Sequence, residues 1–217
     1  MNLDYSIIFD KYDIFLKGAL VTLEISIISL ILGTILGIVF ALFRISSNPI
    51  LSGLAGVYVW IVRGTPLLVQ LFILYFGLPQ IGIKLSPMVS GIVGLSVNTG
   101  AYIAEIIRSG IQAIDHGQME AAQSLGMSYP KAMIRIIGPQ VAKICVPSLV
   151  NQFIMSLKNS SMASLVTISE LFRAGEQLIA TTFRSFEVYT TVAVLYLAMN
   201  SVFMVIANML EKRMGKI

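Results

Sequence analysis

The sequence predicts an all-α integral membrane protein with five transmembrane helices. Its mean hydropathy is +0.85 and charged residues make up only 12% of the chain, whereas a soluble domain carries about 25%. Long apolar stretches recur, and about 20 apolar residues are enough to cross the hydrocarbon core of a bilayer. We therefore expect one membrane-embedded domain over residues 1–217, with spans at about 16–43, 57–78, 86–110, 140–159 and 187–210.

The first predicted span follows a mixed aromatic and charged segment, residues 1–17, which we interpret as interfacial and amphipathic. Residues 25–43 carry no charge, and Gly33 and Gly37 within them permit close helix approach. Glu24 stands at the outer edge of this run. A carboxylate beside a spanning helix costs free energy unless it is paired or faces a wet cavity. Glu24 is therefore a candidate for lining a polar path through the membrane, and a position at headgroup level is the alternative.

The second span is interrupted by residues 63–66, Arg-Gly-Thr-Pro. We expect Thr65 to cap a new helix that restarts at Pro66, because proline is tolerated in the first turn of a helix. The N–H groups of a helix that starts inside the membrane can hold a carboxylate. Thr65, Leu67 and Gln70 are thus candidates for lining the path. A plain kink, or an interfacial helix that turns into the bilayer, is the alternative.

The third span carries a polar stripe. Asn98, Tyr102 and Glu105 are spaced i, i+4 and i+7, so they share one helix face. Such a stripe faces protein or water rather than lipid. It therefore either forms hydrogen bonds between helices or lines the path.

The fourth span carries a second stripe with the same spacing, formed by Gln152, Ser156 and Asn159. We add Gln152 and Ser156 to the path candidates. Residues 158–161 then interrupt the hydrophobic run, and one interpretation is that the helix ends there at the interface. Residues 160–186 are moderately charged and amphipathic, which suits an extracytoplasmic helical cap before the fifth span.

A polar, helix-forming insert lies between the third and fourth spans. Residues 120–125 are good helix formers, and Gly126 stands where a left-handed cap belongs. Ser128 can cap a second helix that tolerates Pro130 in its first turn. We expect a compact helical knob within about 113–138, of the kind that docks into a partner. An amphipathic hairpin lying on the bilayer surface is the alternative.

The distribution of basic residues predicts the orientation of the chain. One side carries Arg44, Arg63, Arg108, Lys131, Arg135, Lys143, Lys212, Arg213 and Lys216. The other side carries Lys11, Lys17, Lys84, Arg173 and Arg184, and Lys158 lies in or near a span. We therefore expect the knob and the C-terminus in the cytoplasm and the N-terminus outside.

The sequence lacks the constellations of an enzyme. His116 is the only histidine, so a two-histidine metal site is impossible, and no G-x-x-x-x-G-K-[ST] phosphate loop occurs. Cys145, the single cysteine, cannot form an intramolecular disulfide and is expected to be buried. No basic patch with interleaved aromatics points to nucleic acid, and the acidic N-terminus argues against a cleaved signal peptide. We expect no catalysis, no metal and no cofactor bound by this chain.

Four motifs carry a family resemblance that runs from about residue 16 to 213. Glu-Ala-Ala at 120–122, followed by Gly126, resembles the EAA loop of permease subunits of ATP-driven importers. Residues 63–70, 98–106 and 151–158 are similar to the polar amino-acid branch of those importers. Ile137-Gly138-Pro139 departs from the usual aliphatic residue before the proline.

The resemblance implies a type I ABC importer permease fold in the cytoplasmic (inner) membrane. It implies two cytoplasmic ATPase subunits, which use ATP and Mg, a second permease subunit, identical or paralogous, and an extracytoplasmic amino-acid-binding protein. It also implies that the ATPase docks on Glu120, Ala121, Ala122, Leu125, Gly126, Met127 and Ser128.

Two carboxylates beside the spans, Glu24 and Glu105, favour a basic amino acid such as arginine, histidine or lysine as the substrate. One rival hypothesis is a stand-alone, ion-coupled amino-acid carrier or channel, which needs no ATPase. The other is a membrane enzyme acting on lipid, for which catalytic residues are lacking.

Overall fold

The computed structural model describes residues 3–214, and the regular structure in that range is helical. Lys216, counted above for the orientation, lies outside these residues. The α-helices are α1 Ser6–Asp10, α2 Tyr12–Arg44, α3 Pro49–Gly64, α4 Leu67–Phe72, α5 Pro87–Gln112, α6 His116–Ser124, α7 Tyr129–Ala132, α8 Gly138–Asn159, α9 Leu171–Thr182 and α10 Ser185–Met214. Single π turns, Ile73–Gly77 and Met133–Ile137, extend α4 and join α7 to α8, and 3-10 turns cover Leu78–Ile81 and Ser160–Val166.

Within the described chain, four helical segments are long and apolar enough to cross a membrane. They are Tyr12–Arg44, Pro87–Gln112, Tyr129–Val166 and Ser185–Ile206. The pair Pro49–Gly64 and Leu67–Ile81 passes the same test jointly but is bent by 104°, which makes up to five spans. The predicted fold class, an all-α integral membrane protein, is confirmed.

The centre of the bundle is the parallel pair α2 and α5, which approach closely through small residues. The Ser29 hydroxyl donates to the Ile92 carbonyl over 3.3 Å. A Cβ atom on Gly37 would lie 2.5 Å from Ile103 Cγ2 and 3.1 Å from the Gly100 carbonyl oxygen. The predicted role of Gly37 in helix approach is thereby confirmed. Ser29 and Ile92 are 63 positions apart, so each residue of α2 lies level with the residue of α5 whose number is larger by 63. This register is used below to compare the heights of residues along the bundle axis.

Helix α8 packs antiparallel to α5, with Cys145 near Ile106 and Ser156 near Thr99. The chain does not leave the bundle after α8. The 3-10 turns Ser160–Val166 continue toward the far end, and Val166 is fully buried in a cluster with Leu71 and Leu95. Residues 160–166 therefore belong to the interior of the bundle rather than to a surface cap.

A cap stands at the end of the bundle opposite α6, and α9 is its centre. Phe15, Leu171, Leu178, Val188 and Val192 form its apolar core. We call this end of the bundle the α9 end and the opposite one the α6 end.

Glu170, which is fully buried, is the N-cap of α9. Its carboxylate accepts from Phe172 N at 3.0 Å and Arg173 N at 2.8 Å. It also accepts from the Thr22 hydroxyl of α2 at 3.3 Å and the Tyr196 hydroxyl of α10 at 2.7 Å. One buried carboxylate thus ties three helices together.

Candidate transport path and docking knob

The knob between α5 and α8 is built by local capping. The Asp115 carboxylate accepts from Gly117 N at 2.7 Å and caps α6. Gly126 has φ +80°, and α6 ends in paired bonds, Gly126 N to Gln123 O at 2.9 Å and Met127 N to Ala122 O at 3.1 Å. These are the two hydrogen bonds of a Schellman motif, so the predicted left-handed cap at Gly126 is confirmed.

The second half of the knob differs in one detail from the prediction. Ser128 occupies the N-cap position of α7 and Pro130 lies in the first turn, as expected. The Ser128 side chain makes no capping bond, however, and its carbonyl accepts from Ala132 N at 2.9 Å.

The knob exposes apolar side chains that no described residue covers. Leu125 is 84% exposed, Ile134 75% and Tyr129 51%. Among the predicted docking residues, Ala122 is buried and Met127 is half-buried. The remaining five are exposed: Glu120, Ala121, Leu125, Gly126 and Ser128. Clustered apolar side chains on a rigid surface mark an interaction site.

The break between α3 and α4 is held by Gln70. Its amide nitrogen donates to the Val62 carbonyl at 2.8 Å, the Thr65 carbonyl at 3.1 Å and the Thr65 hydroxyl at 2.9 Å. Its amide oxygen accepts from Asn98 Nδ2 at 3.3 Å. Gln70 thus occupies carbonyls that the break releases from helical bonding, and it links the break to α5.

The prediction that Thr65 caps α4 is wrong. Pro66 is the N-cap of α4, without a side-chain capping bond, and Thr65 is the C-cap of α3. The Thr65 hydroxyl donates back to the Ile61 carbonyl at 2.9 Å, so it serves the preceding helix. Leu67, at the start of α4, is buried.

Glu105, the last residue of the polar stripe Asn98, Tyr102 and Glu105 on α5, belongs to a charged cluster. Glu105 accepts from Arg108 Nε at 3.0 Å and from its terminal nitrogen at 2.5 Å. Arg63 lies 3.9 Å from the same carboxylate, and its guanidinium carbon is 5.2 Å from the centre of the Tyr102 ring. Arg108 also bonds to Gln112. Two arginines against one carboxylate leave the cluster with a positive charge.

A cavity of about 300 Å³ opens beside this cluster, between α3, α5 and α8. Tyr102 and Glu105 line it, so the structure brings two of the predicted path residues to one space. The other lining residues are Arg63, Ile106, Ser109, Gly110, Ile144, Cys145 and Ser148.

Three predicted path residues lie elsewhere. Ser156 is buried and shares a hydrogen bond of 3.2 Å with Thr99. Gln152 is also buried on α8. Glu24 is exposed and lies on the side of α2 away from buried Ser29. On the scale given by the α2–α5 register, Glu24 is level with the first turn of α5, about 17 Å from the level of Asn98.

Sequence reasoning missed the arginines that neutralise Glu105. Arg108 follows Glu105 by three residues, a spacing that pairs side chains on a helix, so this signal was present. Arg63 comes from a different helix, α3, which packs against α5, so spacing within one segment could not reveal this pair.

Comparison with known proteins gives a full-length match. The family described as "Binding-protein-dependent transport system inner membrane component" matches residues 33–216. The probable glutamine ABC transporter permease protein GlnM of Bacillus subtilis (strain 168) is 40% identical over 214 residues, covering 99% of both chains. The arginine transport system permease protein ArtQ of the same organism is 37% identical over 215 residues, covering 99% of this chain and 98% of that protein.

Solved structures agree with these relatives. A crystal structure of an amino acid ABC transporter with histidines superposes with a TM-score of 0.92 at 38% identity, covering 98% of this chain and 100% of that one. An inward-facing MetNI methionine ABC transporter superposes with a TM-score of 0.79 at 20% identity, covering 93% and 96%, which supports the fold alone.

Proposed function

The chain belongs to the family of binding-protein-dependent transport system inner membrane components, and we propose that it is the permease subunit of an ATP-driven importer of polar amino acids. Relatives over the full length are named for glutamine and arginine, and the similar structure contains histidines. The substrate class we propose is therefore glutamine, arginine, histidine and amino acids like them.

The exposed apolar surface of the knob is the observation that carries the coupling role. A surface formed by Leu125, Tyr129 and Ile134 on capped helices suits insertion into a groove of another protein. We assign that groove to a separate ATP-binding subunit, which hydrolyses ATP with Mg. The knob at Glu120–Ser128 then transmits the movement of the ATPase to α5 and α8, between which it is held.

The complete importer in this proposal contains two such ATPase subunits, a second permease subunit and a binding protein that delivers the amino acid. Basic residues are more numerous on the knob side of the bundle, and this supports an inner-membrane protein whose knob lies in the cytoplasm and whose N-terminus lies outside. The cap around α9 then faces the binding protein.

We place the substrate path along the polar face of α5. Asn98 lies eleven residues into α5, about 17 Å from its start. It donates a hydrogen bond to Gln70, which in turn donates to Thr65. Tyr102 and Glu105 follow toward the cavity. Leu67, Gln152 and Ser156 are buried and are assigned to the support of this face, and Glu24 to the outer entrance.

The two carboxylates that favoured a cationic substrate do not form one site. Glu24 is remote from Asn98, and Glu105 is paired with Arg108 and Arg63. Because Glu105 is already paired with two arginines, it offers no free carboxylate to the side chain of an arginine or lysine substrate. This arrangement favours the broader class of polar amino acids over a strictly basic one.

Substrate-stimulated ATP hydrolysis by the reconstituted complex tests this function. We expect stimulation by glutamine, arginine or histidine delivered by the binding protein. Leu125→Asp should abolish the stimulation by placing a charge in the docking groove, and Leu125→Met, which keeps the apolar contact, should retain it. If amino-acid flux proceeds without ATP and no ATPase subunit associates, the stand-alone carrier is correct instead. Turnover of lipid by the chain alone would support the membrane enzyme.

A further inference from the structure

A cleft lies at the α6 end of the bundle, between the end of α2 and the base of the knob. It consists of two cavities. The first, of about 370 Å³, has polar lining residues that include Arg44 and His116. The second, of about 630 Å³, is more apolar and is lined by Leu42 and Pro130, among other residues. Three residues line both cavities, so the two form one space, which we call the Arg44 cleft: Ile45, Tyr129 and Met133.

Arg44, the last residue of α2, brings a positive charge to this cleft. It takes part in no ion pair among the described residues. Its Nε is buried and has no hydrogen-bond partner there, and a buried donor without an acceptor costs free energy. A Cβ atom on Gly56 would lie 3.0 Å from a terminal nitrogen of Arg44, so the guanidinium lies against the backbone of α3. An anion in the cleft would supply both the acceptor and the counter-charge.

The surroundings of the cleft are predominantly basic. The sequence has no acidic residue between Glu24 and Glu105, a range that contains the end of α2 and all of α3. Asp115, a carboxylate in the lining, is engaged in capping α6, where it accepts from Gly117 N at 2.7 Å. The charged residues in 125–143, the stretch that forms the knob wall and the start of α8, are all basic: Lys131, Arg135 and Lys143.

The cleft opens at the level of a headgroup layer. Arg44 is the first charged residue after the uncharged run 25–43, and about 20 apolar residues cross the hydrocarbon core. On the register between α2 and α5, Arg44 is level with Ile107, which is about 30 Å from the start of α5. This distance equals the thickness of the hydrocarbon core. Arg44 therefore lies where the phosphate groups of the leaflet on the knob side are found.

An apolar face of α2 leads through the membrane to the same cleft. Its members are spaced by four, three and four residues and so share one side of the helix. They are all exposed: Ile31 56%, Ile35 55%, Ile38 46% and Leu42 52%. Leu42, the last of them, lines the larger cavity. An acyl chain lying along this face would bring its headgroup to Arg44.

We propose that the Arg44 cleft binds the phosphate group of an anionic phospholipid, whose acyl chain lies along the face from Ile31 to Leu42. The forked N–H groups of arginine match a phosphate, and basic pockets between helices on the cytoplasmic side of a membrane suit anionic headgroups. Tyr129 and Met133 belong both to the cleft and to the knob, so the bound lipid rests against the element that we assign to coupling. Binding of the lipid does not depend on which substrate the chain transports.

Native mass spectrometry of the assembled complex, titrated with dioleoyl phosphatidylglycerol, tests the role of the charge. Arg44→Gln should raise the Kd of the lipid about tenfold or more, the range expected for one charge-assisted hydrogen bond, and Arg44→Lys should raise it less. Lys143→Gln is the matched control, because it removes an exposed cation of α8 that is level with Arg108. It should change the Kd less than about twofold. Unchanged binding by Arg44→Gln, or equally tight binding of dioleoyl phosphatidylcholine by wild type, would overturn the proposal.

Cysteine labelling tests the cleft with Arg44 in place. In a Cys145→Ser background, which removes the chain's other thiol, Ser47→Cys puts a thiol in the lining of the larger cavity. We expect neutral N-ethylmaleimide to react several-fold more slowly with this thiol in nanodiscs of phosphatidylglycerol than in nanodiscs of phosphatidylcholine. Lys143→Cys, at nearly the same height, experiences the same surface potential and should show little difference. Equal slowing at both positions, or none at either, would contradict a bound lipid.

Inorganic phosphate separates a lipid from a soluble anion. Added at millimolar concentration to the phosphatidylcholine nanodiscs, it should leave labelling at position 47 unchanged, because it has no acyl chain to hold it in the cleft. Protection equal to that by phosphatidylglycerol would assign the cleft to a soluble phosphate compound and overturn the lipid proposal. Labelling requires neither ATP hydrolysis nor flux. A complex that transports no amino acid, the result that would disprove the proposed function, therefore still reports on the cleft.

Discussion

Two charged side chains, twelve positions apart in the chain, sit in opposite surroundings. Glu170 is fully buried and accepts four hydrogen bonds, from two backbone N–H groups and the hydroxyls of Thr22 and Tyr196. Lys158, two residues after buried Ser156 on α8, is exposed, and no ion pair among the described residues includes it. The segment between them, Ser160–Val166, packs against α5 and α4, with Ala163 and Val166 in the apolar core.

The difference separates a charge that is bound inside the fold from a charge that lies exposed on a helix surface. Glu170 has its partners within the chain, so its removal leaves buried donors without acceptors. Among the described residues Lys158 has no ion-pair partner, so its removal should leave the contacts between the described helices unchanged.

The largest effect is expected from a lysine placed on the wrong face. Ile35→Lys puts an ammonium group on the apolar side of α2, where insertion costs about 3 kcal/mol. Met155→Lys puts the same group at similar depth on the exposed side of α8 that already carries Lys158. We expect the fraction of protein integrated into membranes to fall sharply for Ile35→Lys and little for Met155→Lys. Equal losses would mean that both faces contact lipid.

The next largest effect is expected at Glu170. Glu170→Ala removes the α9 cap and leaves the Tyr196 hydroxyl without the acceptor it has in Glu170, which should cost about 2–3 kcal/mol. Glu170→Gln keeps the size and one acceptor oxygen and should cost less. Thermal unfolding of the purified chain in detergent measures both. A Glu170→Ala protein as stable as wild type would show that the cap is held by its apolar core alone.

Local rules allowed part of the structure to be predicted from the sequence. The Gly126 cap and the close approach at Gly37 follow from backbone requirements that a few neighbouring residues reveal. The error at Thr65 arose because a hydroxyl beside a break can serve either helix, and here it bonds back to Ile61. The partners of Glu170 and the ion pair of Arg63 with Glu105 depend on contacts between distant helices, which spacing within one segment cannot supply.

A smaller effect is expected at Asn151, on an exposed side of α8. Asn151→Leu removes a polar side chain from an exposed position, so stability should change by less than about 0.5 kcal/mol. Amino-acid uptake should fall several-fold because Asn151 lies one turn from Ser148, which lines the cavity beside Glu105 on the proposed path. Ile31→Leu, a change on the lipid-facing side of α2, is the matched control for uptake. Unaltered uptake in Asn151→Leu would argue that the substrate passes elsewhere.

The smallest effect is expected in the pH dependence of stability. Burial raises the pKa of Glu170 above its ordinary value of 4.5, against the four hydrogen bonds that favour the charged form. A carboxyl with a raised folded-state pKa binds its proton more tightly in the folded state. Its contribution to stability is therefore largest at low pH and declines as pH rises from about 4.5 through the folded-state pKa. Glu170→Gln cannot titrate, so the difference in melting temperature between wild type and this variant should shift in favour of wild type as pH falls. A constant difference would mean that Glu170 has the same pKa folded and unfolded, and that its hydrogen bonds fully offset its burial.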